Sequence, residues 1–63
     1  MSPAVKAANV AQSILLHGLD MASLATWQRY GLERNIEQQT LVRQAVRAAQ
    51  IAAYIRDRDQ GRA

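Results

Sequence analysis

The sequence predicts an all-α chain of two or three helices that ends in a long C-terminal helix and pairs as a helical homodimer. Three observations carry that expectation. Alanine, the best helix former, occurs twelve times, and the one proline stands at position 3, outside any helix interior. Capping residues divide the chain into three segments, about 3–17, 21–30 and 36–58, within a single domain of residues 1–63. Finally, 63 residues without a cysteine bury only about 60% of the unfolded surface and have no disulfide or thiolate metal site to compensate. Oligomerisation is the remaining stabiliser at this size, most simply a twofold homodimer.

The elements follow in order. Ser2-Pro3 starts the first helix with a capping hydroxyl and a proline at the position where its missing N–H costs nothing. Val5, Ala8, Ala11, Ile14, Leu15 and Gly18 trace its apolar stripe at helical spacing. Gly18 is placed to end it in the left-handed conformation, with His17 near the exposed carbonyls. Asp20 is expected to cap the second helix, "MASLATWQRY", where a carboxylate also suits the positive end of the helix dipole. Gly31 is a second helix terminator, with Leu32 expected to fold back on Trp27. Asn35 then caps the third helix, and Gln38 occupies the capping-box position. A continuous helix through Gly31 would carry its main apolar stripe through Arg34 and Gln38, which argues for a break.

The third helix decides the assembly. Leu41, Ala45, Ala48, Ala52 and Ile55 repeat in steps of four and three, the pattern of a coiled-coil seam, and are the expected dimer interface. Val42, Val46, Ala49 and Ala53 form a second stripe and Ile51 flanks the seam. Together the apolar positions span about 220° of the helix, about twice the usual apolar face. The first two helices suffice for one side, and a second copy of the chain is expected on the other. The alternative is a monomeric three-helix bundle with an alanine-filled core.

The remaining face carries Gln39, Arg43, Arg47, Gln50 and Tyr54. Arg and Tyr are enriched in binding hot spots, so Arg43, Arg47, Gln50 and Tyr54 are the expected protein-binding residues, against the plainer reading of a solvated face. Trp27 and Tyr30 near the corner are a second candidate surface, with core packing as the alternative. The tail "RDRDQGRA" alternates charge and is expected to fray as a solubilising end.

Catalysis is not expected. The single histidine, His17, has no partner group beyond Asp20, and no phosphate loop or activated nucleophile appears. No cofactor or metal is expected either. The net charge of +3 suits an acidic protein surface or nucleic acid equally. No run of eighteen apolar residues and no signal-peptide pattern occurs, so the expectation is a cytoplasmic protein without membrane contact.

Two resemblances bear on function. "AQSILLHGLDMASLATWQRYGLE" resembles the end of Fis-type helix-turn-helix domains, with Ser23-Leu24 and Tyr30-Gly31-Leu32 in the matching places. The spacing between them is off by one residue, a rotation of about 100°. Residues 20–30 carry one Asp and one Arg, whereas a recognition helix needs basic side chains aimed at bases and phosphates. DNA binding is therefore the second reading. In size, lack of cysteine and its closing alanine-rich helix, "LVRQAVRAAQIAAYIRDRD", the chain resembles small phage-encoded anti-activators of bacterial quorum sensing. That resemblance implies a helical homodimer that binds and silences a LuxR-type transcription regulator, or another host protein, without turnover.

Overall fold

The structure, a computed structural model, describes residues 1–61. Among them are three helices and no strands: α1 (Pro3–His17), α2 (Leu24–Arg29) and α3 (Ile36–Gln60).

Local chemistry sets the helix ends. The Ser2 hydroxyl accepts the Val5 amide at 3.2 Å, with Pro3 in the first turn. Gly18, at φ 63°, turns the chain out of α1, and its amide and that of Leu19 both donate to the Ile14 carbonyl. Asp20 does not cap α2. Its carboxylate accepts the Ala22 amide at 2.9 Å and shapes a turn in which the Ser23 amide donates to the Asp20 carbonyl. That turn uses up the residues predicted to open the helix, so α2 begins only at Leu24. It ends as the glycine predicts: Gly31 stands at φ 69°, its amide donates to Gln28 and the Leu32 amide to Trp27, the paired bonds of a Schellman ending. Helices α2 and α3 are therefore separate.

Asn35 caps α3 by accepting the Gln38 amide at 3.1 Å. The reciprocal half of the capping box is missing, because the Gln38 side chain donates instead to the Pro3 carbonyl at 2.9 Å. This bond ties the start of α3 to the start of α1, so residues 18–35 bring the chain back along the length of the first helix.

The core joins Ala7, Val10, Ala11 and Ile14 of α1 to Trp27, Leu32, Val42 and Val46, with Leu19, Met21, Tyr30, Leu41 and Ala45 packed around it. The inward face of α1 is rotated from the predicted stripe: Val5, Ala8 and Leu15 are exposed. Alanines on both sides of this helix leave its phase open in sequence, and the phase adopted buries the branched pair Val10 and Ile14. Gln39, placed by sequence on the face of Arg43, Arg47, Gln50 and Tyr54, is buried and donates to the Leu32 carbonyl at 2.6 Å. Trp27 is 4% exposed with its Nε1 donating to the Met21 carbonyl. Tyr30 is half-buried with its hydroxyl 2.6 Å from that of Ser13. The corner aromatics are thus core residues, not an open surface. Among the described residues every buried side-chain nitrogen and oxygen has a partner.

The core engages only the first part of α3. From Arg47 to Gly61 every residue is exposed, and the helix runs on to Gln60 instead of fraying at Arg56. Arg, Gln and the absence of a breaker before Gly61 sustain it; Arg62 and Ala63 lie outside the described residues. The radius of gyration is 13.1 Å, whereas a compact chain of this length has about 10.6 Å. The projecting end of α3 accounts for the difference.

Leu32→Ala should lower unfolding stability by about 3 kcal/mol, as for other fully buried leucines. Gly31→Ala, which places a Cβ on a left-handed residue, should cost about 1 kcal/mol. Urea denaturation at fixed protein concentration checks both, and an unchanged midpoint for Leu32→Ala would contradict the core described here.

Candidate functional site

The arm of α3 beyond Val46 is the part of the molecule with the most chemistry and the least cover. At about 1.5 Å per residue it extends about 20 Å past the core. Stepping at about 100° per residue divides α3 into three sectors. Val42 and Val46 face the core. Leu41, Ala45, Ala48, Ala52 and Ile55 lie on a line about 120° to one side. Arg43, Arg47, Gln50 and Tyr54 lie about 90° to the other.

The predicted seam residues are not in one environment. Leu41 and Ala45 are half-buried against the core, whereas Ala48, Ala52 and Ile55 are exposed. Ile55 is 53% exposed and its neighbour Ile51 50%. The second stripe divides in the same way: Val42 and Val46 are buried, Ala49 and Ala53 exposed. An uninterrupted apolar line therefore leaves the core and continues along the arm.

The predicted partner-binding residues Arg43, Arg47, Gln50 and Tyr54 are all exposed, Tyr54 at 66%. The structure brings them onto one face of one helix. Arg43 has a further role that periodicity did not reveal, because its guanidinium stands 5.4 Å from the centroid of the Trp27 ring. It packs over the indole and positions this face against the corner. The contact depends on how α2 lies against α3, which no local spacing encodes.

The corner forms an open groove of about 430 Å³, lined by Gly18, Leu19, Asp20, Ser23, Thr26 and Arg29 among others. Its carboxylate is already engaged by the Ala22 amide, and the Thr26 hydroxyl by the Asp20 carbonyl. Among the described residues no three His, Cys, Asp or Glu side chains gather to hold a metal, and no helix is long and apolar enough to cross a membrane. No family model, curated protein or solved structure matches the chain.

Arg43→Ala should change the fluorescence of Trp27, the one tryptophan, and cost about 0.5–1 kcal/mol of stability through the lost cation–π contact. Tyr54→Ala should leave stability within about 0.5 kcal/mol, as for other exposed positions. A Tyr54→Ala loss as large as a core truncation would mean that this side chain is packed rather than presented.

Proposed function

We propose that the protein is a cytoplasmic, non-enzymatic regulator that forms a helical homodimer and inhibits another protein by occupying its surface. The observation that carries the reading is the arm of α3, a helix end that bears an apolar line and an Arg/Tyr face and is covered by neither α1 nor α2. An isolated helix of about this length is marginal in water, so a partner surface is what the arm lacks.

Two surfaces on one arm support two partners. The apolar line through Leu41, Ala45, Ala48, Ala52 and Ile55 suits a second copy. The area supports this: the chain exposes 4799 Å², about 750 Å² more than a compact monomer of its mass. A stable interface takes about 800 Å² from each partner. The Arg43, Arg47, Gln50 and Tyr54 face then meets the target. Its two arginines and tyrosine suit an acidic or aromatic protein surface, and binding blocks that surface without chemistry. The resemblance to quorum-sensing anti-activators makes a LuxR-type transcription regulator the first target to try.

We favour this over the helix-turn-helix reading because α2 offers only six residues, commits Trp27 to the core and presents one basic side chain, Arg29.

The test is retention of protein from a nuclease-treated bacterial lysate on the tagged chain, read by mass spectrometry. One stoichiometric partner is expected, lost with Arg47→Glu and with Tyr54→Ala while circular dichroism stays unchanged. Retention by both variants would remove this face from the account. No retained protein, together with duplex binding that weakens steeply with salt, would establish the DNA reading instead.

A further inference from the structure

We propose that the two copies pair their α3 helices antiparallel, about a twofold axis beside Gln50, so that an Arg/Tyr face is left open on each side of the dimer. The proposal rests on the homodimer reading above and adds its orientation.

The order of residues along the seam carries it. Leu41, Ala45, Ala48, Ala52, Ile55 and Asp59 succeed one another in steps of four and three, and so alternate between the two core positions of a heptad. A parallel pair sets each residue against itself. Leu41 then meets Leu41, three alanine layers follow, Ile55 meets Ile55 and Asp59 meets Asp59. Helix axes pack about 8–10 Å apart according to the side chains between them. Alanine layers draw the helices together, while a double leucine at one end and a double isoleucine at the other hold them apart. The alanine layers would be left with gaps, and atoms facing a gap lose their contacts.

An antiparallel pair removes the conflict. With the axis at Gln50, Ile55 shares a layer with Ala45 of the second copy, Ala48 with Ala52, and Leu41 with Asp59. No layer holds two large residues, and the helices approach evenly along the arm. The two Asp59 carboxylates no longer face each other, which removes a like-charge contact. The flanks agree: Ile51, half exposed in the single chain, meets its own counterpart close to the axis. In a parallel pair it would lie beside Arg56. The surface left over in the single chain, about 750 Å², is close to what one side of such an interface buries.

The arrangement has a consequence for target binding. Arg43, Arg47, Gln50 and Tyr54 lie about 150° round α3 from the seam. Pairing the seams therefore leaves both Arg/Tyr faces outward and opposed, and the dimer takes up two target molecules.

The chain has no cysteine, so introduced thiols report on orientation directly. Ala45→Cys and Ile55→Cys are made as separate full-length variants, mixed, allowed to exchange subunits and oxidised. Disulfide-linked dimers are expected in the mixture and not from either variant alone. Across an antiparallel pair two identical positions at residue 45 lie about 15 Å apart along the axis, beyond the roughly 7 Å that a disulfide spans. Efficient linkage of each variant with itself would show a parallel pair and overturn the proposal. Ala48→Cys mixed with Ala52→Cys repeats the test at sites exposed in the single chain, should Ala45→Cys disturb the core. Sedimentation of the unmodified protein separates the two levels. A monomer at every concentration overturns the dimer reading and this orientation together, whereas a dimer with self-linked variants overturns the orientation alone.

Discussion

Val42 and Val46 are the last residues of α3 that the rest of the chain covers, and most of what distinguishes this molecule follows from where that cover stops. α1 offers two alanines, a valine and an isoleucine to the core, and the corner adds Trp27 and Leu32. These fill the space against the first part of α3 and no more. The arm is nonetheless built from helix formers and carries its own apolar line. On the proposed reading its helicity depends on contacts that a single copy does not provide, and self-association and target binding both fall on this element.

The corner between α1 and α3 serves that arrangement. Its polar groups are bonded inward: the indole of Trp27 to Met21, the Thr26 hydroxyl to Asp20 and the Gln39 amide to Leu32. Burial of such groups is tolerated only when each finds a partner. Together they fix the path that returns the chain to the start of α1, where Gln38 bonds the Pro3 carbonyl. Arg43 then lies over Trp27 and holds the root of the arm against the corner. The helix-turn-helix rhythm of this stretch is here the geometry of a braced turn.

Much of this was legible in the sequence because it is local. Ser2, Gly18, Gly31 and Asn35 mark helix ends by hydrogen bonds within a few residues, and the length of α3 follows from its uninterrupted helix formers. What was not legible depends on tertiary placement. Alanines on both sides of α1 leave its phase to tertiary packing: Val5, Ala8 and Leu15 of the predicted stripe are exposed, whereas Ala7 and Val10 are buried. Gln38, expected in a capping box, and Gln39, expected on the Arg/Tyr face, each answer a carbonyl that only the folded chain brings near. Asp20 could either cap a helix or close a turn, and its carboxylate closes the turn by accepting the Ala22 amide. The apolar line along α3 was readable from its steps of four and three, but the point at which the core releases it was not.

The most direct test of the account is hydrogen exchange of the α3 amides, measured over a range of protein concentrations. The amides of residues 47–60 should be protected at high concentration and lose protection on dilution, while those of α1 and the start of α3 hold theirs for longer. Protection of the arm that does not vary with concentration, at a level equal to that of the core, would contradict the claim that a second copy covers it.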